Sequence, residues 1–254
     1  MKCYLINLDR SGERLSHMQT LFAAYYVPFE RVAAVDGRIL TDEDMARWVR
    51  LPQGEPPITQ SEVGCFLSHQ KCFQLIAEGG AEYAAIFEDD AVLSPDIGTW
   101  VGSDHWIPRD ADIVKLETTG AKALTGSPAS IFDNGRVLAR LLSRHNCTAG
   151  YIVSKDCAQR LLVETKFVTT GIDELLFNPD YRVFNRLRIY QISPALCKQS
   201  LVQSTIDRYE VPRVKLAGRI CRETVRPLLQ VYELLWRGWI KMRKGQSWRR
   251  IPFA

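Results

Sequence analysis

The sequence is poor in the residues that build metal centres and disulfide scaffolds. It has only four histidines, well separated, and seven cysteines, an odd number, scattered and never spaced as CxxC. That pattern excludes a zinc–cysteine ribbon and a disulfide framework, and it makes most cysteines small buried apolar residues in a reducing compartment. No window approaches the ~18 uninterrupted apolar residues of a membrane span. The opening apolar run, Cys3 to Leu8, meets Asp9 and Arg10 too early to be the core of a signal peptide. Internal repeats and low-complexity segments are also missing. These absences lead to a soluble or peripheral protein of the cytoplasm.

What is present is an ordinary globular composition. The chain of 254 residues is 46% apolar and 24% charged, enough for a core that needs no staple. Its net charge of +4 is unevenly spread. From Arg208 to Ala254 there are twelve Lys and Arg against three Glu, whereas the rest carries twenty-one cations against twenty-six acids. A mildly acidic body, 1–207, is thus expected to precede a basic, aromatic-containing and mostly helical extension, 208–254.

Periodicity organises the body. Cys3–Leu8 reads as a buried strand; Ser11 can cap a helix carrying Leu15, Met18, Leu21, Phe22 and Tyr25; Pro28 ends it, and Phe29–Val35 forms a second strand before the turn pair Asp36-Gly37. This is the order of a βαβ unit. Thr41–Arg50 is a polar helix. Thr59 and Glu62 have capping-box spacing and open a helix with Val63, Phe66, Leu67, Cys72, Phe73, Leu75 and Ile76, ending at Gly79-Gly80. Tyr83–Phe87 and Asp112–Leu116 are strand candidates, and Gly120–Gly135, rich in Gly, Ser and Thr, reads as loop. Thr148–Ser154 is a strand running into a helix, and Asp173 stands at the start of a short helix closed by Asn178-Pro179. The fold class is a single α/β domain.

Three consecutive carboxylates, Glu88-Asp89-Asp90, follow the strand Tyr83–Phe87. They repel one another, and strand ends in open α/β sheets are where ligands collect. A Mg²⁺ or Mn²⁺ ion bridging a diphosphate would relieve the repulsion, because hard oxygen ligands suit those ions. The E-x-D spacing sets Glu88 and Asp90 on one side of an extended chain. A solvated acidic turn is the competing explanation.

Several ordered blocks carry a resemblance. Ile6-Asn7-Leu8-Asp9-Arg10 with Arg14, Ala34-Val35-Asp36-Gly37, Glu62-Val63-Gly64-Cys65-Phe66-Leu67-Ser68-His69 and Ile86-Phe87-Glu88-Asp89-Asp90 are similar to successive elements of glycosyltransferase family 25, the lipooligosaccharide and collagen galactosyltransferases. Thr148–Ser154, Ile172–Leu176, and Pro194 with Gln203–Ile206 look like its later blocks, although Gly171-Ile172-Asp173 stands where Pro-Val-Asp is usual. The resemblance covers about 2–207. It implies a GT-A-like fold, a UDP-sugar donor (usually UDP-galactose), a Mn²⁺ or Mg²⁺ cofactor and inversion at the anomeric carbon.

Site roles follow from that resemblance. Asp90 and Glu88 are the expected metal ligands, Glu88 also reaching the donor's sugar or ribose, with Asp89 the member most readily turned away. Asn7, Asp9, Arg10, Arg14, Asp36, Ser68, His69, Glu88, Asp89 and Lys115 are the expected donor contacts. Inverting transfer needs a base for the acceptor hydroxyl, and Asp173 and Glu174 are the candidates. His145 is a weaker metal or phosphate contact. Turn formation at Asp36, helix capping at Glu62 and dipole-favoured acids at 173–174 are the structural alternatives.

In the basic extension, Trp236, Trp239 and Trp248 lie among Lys and Arg, a composition suited to an anionic membrane surface. The expected partners are a UDP-sugar, a glycan or lipid-linked glycan acceptor and the inner face of the cytoplasmic membrane, with no nucleic acid. The rival functions are a metal-dependent phosphoesterase or nucleotidyltransferase, and a non-catalytic glycan-binding relative.

Overall fold

The computed structural model describes residues 1–53, 57–200 and 245–254. Its first strand, β1 (Lys2–Asn7), is followed by helix α1 (Gly12–Ala24) and strand β2 (Glu30–Ala33), and β1 pairs in parallel with β2. The βαβ expectation holds, although Ser11 makes no side-chain cap bond. Helix α2 (Asp42–Trp48) is opened by a Thr41–Asp44 capping box, and helix α3 (Gln60–Glu78) by the expected box of Thr59 and Glu62. Strand β3 (Tyr83–Glu88) returns beside β1 in parallel, so that Ile6 stands opposite Glu88.

The remaining elements extend the sheet. They are β4 (Ala91–Leu93), α4 (Ile97–Val101), β5 (Ile113–Lys115), β6 (Lys122–Ile131), β7 (Val137–Leu141), β8 (Gly150–Ser154), α5 (Lys155–Glu164), α6 (Ile172–Phe177), α7 (Arg182–Arg186), β9 (Ile189–Ser193), β10 (Cys197–Gln199) and β11 (Ser247–Arg250). Among the described residues, nine strands form one mixed sheet in the order β11-β6-β7-β9-β5-β8-β3-β1-β2, and β4 pairs with β10 apart from it.

Alternation along the strands divides the interior into two layers. Tyr4, Ile6, Ala84 and Ile86 pack with Phe66 and Phe73 of α3 and Leu161 of α5; Cys3, Leu5, Ala85 and Phe87 pack with Met18 and Phe22 of α1 and Trp100 of α4. Helices therefore cover both faces of the central strands. The consequence is that the strand ends, rather than the sheet faces, are left to bind a ligand.

Two expectations are corrected. The region 120–135 contains the ten-residue strand β6, antiparallel to β7, with Ala123, Leu124 and Thr125 buried. Its small polar residues lie largely at the exposed end of the strand, where turn-like composition carries no burial signal. The last ten residues are also no part of a helical extension: β11 pairs with β6, Ile251 is fully buried, and Ala195 bridges to Phe253. Residues 208–244, where the helical and membrane-facing character was expected, lie outside the described residues, as does the Gln203–Ile206 block.

Gly64 shows how helix and loop are fitted. A Cβ there would lie 2.6 Å from the Val35 carbonyl oxygen and 2.8 Å from the Gly37 nitrogen, both backbone. Glycine costs an α-helix about 1 kcal/mol against alanine, but it lets α3 touch the Ala34–Gly37 segment. Gly64→Ala should therefore lower stability by about 1–2 kcal/mol, overpacking outweighing the propensity gain. The check is a lower urea midpoint at an unchanged denaturant slope.

Candidate active site

The carboxyl ends of β1 and β3 lie side by side and open into a cleft of about 660 Å³. Asn7, Arg10, Arg14, Asp36, Ser68, His69, Glu88, Asp89 and Asp90 line it, together with Cys65 and Gln199. Most of the donor-side residues expected from sequence are thus brought to one place.

Glu88 is the most constrained of the triplet. Its Oε1 accepts from Thr148 Oγ1 at 2.6 Å and from His69 Nε2 at 3.1 Å. The ionised Glu88 can only accept, so His69 presents Nε2–H to it, and the Tyr151 hydroxyl, 2.7 Å from Nδ1, holds the other side of the ring. Burial works to raise the Glu88 carboxyl, but the His69 and Thr148 hydrogen bonds outweigh it and hold the group below the usual carboxylate range.

Asp89 is not turned away. It accepts from Asn7 Nδ2 at 2.7 Å and pairs with Arg14 at 3.1 Å, tying the turn after β3 to the end of β1 and to α1. Asp90 is different. One oxygen, Oδ2, accepts from Gln199 Nε2 at 3.0 Å, while Oδ1 is buried without a hydrogen-bond partner among the described residues. Burial, reinforced by the charge on Glu88, pushes this carboxyl up to about 7.

The other expected contacts divide. Arg10 and Asp36 face each other at 2.6 Å at the cleft wall. Ser68 accepts from Val35 N–H and donates to the Gly64 carbonyl, so its hydroxyl fastens α3 to the segment after β2. Asp9 does not line the cleft; it is exposed and paired with Arg31, which also holds Asn7 Oδ1 at 2.9 Å. Lys115 is not at the cleft either. It is fully buried, donates to the Cys147 carbonyl, lies 3.4 Å from Glu117 Oε2 and sits 3.9 Å from the centre of the Phe177 ring. The apolar run that made it a strand end also carried it under α6.

The segment Cys147–Ala149 links these groups. Cys147 has a φ of +72°, a left-handed conformation that costs a non-glycine residue about 1–2 kcal/mol. Its N–H donates to Asp173 Oδ2 at 3.3 Å, Thr148 holds Glu88, and Ala149 N–H donates to Glu117 Oε2 at 2.9 Å. Glu174 has both oxygens engaged, by Arg144, Asn146 and Asn178. Asp173 also has both oxygens engaged, but only by backbone N–H groups, Glu174 N–H to Oδ1 at 2.8 Å and Cys147 N–H to Oδ2, and no cationic side chain pairs with it among the described residues. Thr148, Tyr151, Cys65 and Gln199 carried no role in the sequence reading. The sequence placed Tyr151 on a strand, but nothing in it signalled the partner of its hydroxyl.

Cys65, His69 and Glu88 bring one potential ligand atom each within 4.8 Å of one another, the single such group among the described residues. His69 has both nitrogens engaged, and burial, then the charge of Glu88, pushes the Cys65 thiol well up. A soft ion would need that thiol ionised. The two carboxylates, Glu88 and Asp90, fit a hard divalent ion better: Asp90 Oδ1 is an orphaned acceptor, and Glu88 Oε2 has no protein partner among the described residues.

An α/β sheet that opens a carboxylate-bearing cleft at the carboxyl ends of its parallel strands has the arrangement in which proteins of this class bind ligands. The chain is a member of glycosyltransferase family 25 (LPS biosynthesis protein), whose sequence profile matches residues 1–176. It is 32% identical over 213 residues, 79% of this chain and 75% of the relative, to the Neisseria gonorrhoeae lacto-N-neotetraose biosynthesis glycosyltransferase LgtB. It is 28% identical to the Haemophilus influenzae lipooligosaccharide biosynthesis protein lic2B, over 77% of this chain and 75% of that one. Among solved structures, a glycosyltransferase involved in glycosylation of the major capsid of PBCV-1 overlays 80% of this chain and 93% of its own, with a TM-score of 0.46 and 10% identity.

His145 is not at the cleft: it is buried, and neither ring nitrogen has a partner. Burial, with Lys115 nearby, lowers its pKa to about 3. The unfolded chain therefore binds a proton at this site that the folded chain refuses, and stability is lost as pH falls below about 6.5. In His145→Phe, the fall in unfolding free energy between pH 6 and pH 4 should be shallower than in the parent by about 1.4 kcal/mol per pH unit. Urea titrations across that range give the measurement.

Proposed function

We propose that the protein transfers a hexose, galactose from UDP-galactose, to a lipooligosaccharide or other glycan acceptor with inversion, on a GT-A-like domain that uses Mn²⁺ or Mg²⁺. The observation that carries this reading is the buried, unpartnered Oδ1 of Asp90, beside a second carboxylate kept ionised at the end of β3. Two adjacent acids with free oxygens in one cleft are unfavourable unless a cation joins them. Family membership and the names of the relatives support the sugar-transfer chemistry, and the choice of galactose is inherited from the family.

Asp90 and Glu88 would hold the metal ion, which supplies positive charge opposite the leaving diphosphate. The protein's own groups do the rest. His69 and Thr148 fix the Glu88 carboxylate so that it does not swing when the donor enters. Arg10 and Arg14, at the opening of α1, place cations and helix N–H groups where a nucleotide's phosphates would lie. Asp173 accepts the proton of the attacking hydroxyl, while Glu174, held by three partners, positions α6. Among the described residues, no helix is long and apolar enough to cross a membrane. Attachment to the inner face of the cytoplasmic membrane through the basic segment belongs to the same proposal.

Asp90→Asn and Asp173→Asn should each lower turnover by about a hundredfold or more. Asp90→Asn should in addition lose the response to added Mn²⁺, whereas Asp173→Asn should keep it. Transfer from UDP-galactose, measured before and after chelation and metal return, decides. Wild-type turnover unchanged by chelation would remove the metal from the scheme. Release of phosphate from simple phosphoesters, with no sugar transfer, would make the protein a hydrolase instead.

A further inference from the structure

A second cleft, of about 910 Å³, adjoins the first across the opening turn of α3. Ser61 and Cys65, one turn apart, line the donor cleft, while Glu62 and the preceding Ile58 line the second. The two are also bridged by successive residues: Cys147 N–H holds Asp173, which lines the second cleft, and Thr148 holds Glu88, which lines the first. Consecutive Cα atoms are about 3.8 Å apart, so these carboxylates stand at the facing ends of neighbouring spaces. The Cys65 thiol lies where their fields meet. After burial, the charges of Glu88, Asp173, Asp90 and Glu62 all push it up.

The second cleft has the chemistry of a neutral polyhydroxylated ligand. Glu62 uses Oε2 to cap α3, leaving Oε1 as an acceptor. Tyr181 offers a half-buried ring whose hydroxyl accepts from Thr170 at 3.0 Å, and Ile58 adds an apolar surface. Carboxylate acceptors for hydroxyl groups, next to an aromatic face for ring C–H groups, suit a hexose. The acids of the lining, with Arg144 already paired to Glu174, disfavour an anionic sugar.

We propose that this cleft is the acceptor subsite, holding the uncharged terminal hexose of a glycan, with Tyr181 and Glu62 setting its affinity and Asp173 at its inner end. The proposal rests on the transferase reading above. It places the body of the acceptor sugar beside α6, with the attacking hydroxyl reaching past the opening turn of α3 to the donor's anomeric carbon, so donor and acceptor binding are separable by mutation.

The test is steady-state kinetics on the full chain with UDP-galactose, a panel of neutral mono- and disaccharide acceptors, and sialyllactose as the charged comparison. Tyr181→Ala and Glu62→Gln should each raise the KM of the accepted sugar by about tenfold. Donor KM and acceptor-free hydrolysis of UDP-galactose should stay within about twofold. Tyr181→Phe, which keeps the ring, should raise acceptor KM far less than Tyr181→Ala. The subsite is overturned if acceptor KM is unmoved in both variants, if donor KM rises in parallel, or if sialyllactose is the preferred acceptor. A parent protein that neither hydrolyses nor transfers from any UDP-sugar overturns the transferase reading and the subsite together. Intact hydrolysis with unshifted acceptor KM removes the subsite alone.

Discussion

The candidate site depends on one half-buried carboxylate being kept charged. Glu88 leaves the sheet at the end of β3, where burial alone would favour its neutral form. Two donors from opposite directions prevent that, His69 on α3 and Thr148 just before β8. Each donor is itself held. Tyr151 fixes the imidazole, and the backbone around Thr148 is tied to Lys115, Glu117 and Asp173. A single ionised group thus draws together α3, β3, β5, β8 and α6.

The consequence falls on Asp90. With Glu88 already ionised nearby, the second acid cannot ionise as readily, and burial leaves one of its oxygens unpartnered. Asp89 has found Arg14 and Asn7 and is neutralised within the protein. The triplet is therefore three groups with three fates: one fixed and charged, one paired, and one with an oxygen left unpartnered among the described residues. Metal relief of like-charge repulsion is the physical basis of the proposed chemistry.

Much of this was legible along the chain because its cause is local. Capping boxes at Thr41 and Thr59 act within four residues, and the βαβ opening follows from apolar period and from Pro28. The region 120–135 was misread because small polar residues give the same composition to a loop and to a strand whose end is exposed. Only pairing with β7 and β11 distinguishes them. The last ten residues were misread for a related reason: Trp248, Arg249 and Arg250 look like tail composition, yet they complete a sheet edge more than a hundred residues upstream.

The sequence by itself determined the βαβ opening, the capped helix α3, the family, and the place of the acidic triplet at a strand end, because hydrophobic period and residue order are properties of the chain. Tertiary structure alone decided which acids are free to act. Lys115 was carried beneath Phe177, Asp9 to the surface and Glu174 into contact with Arg144, while Asp173 met the same turn as Glu88. Those outcomes turn on partners 22 to 62 residues away, and a hydrogen bond's reach of about 3 Å has no signature in spacing along the chain.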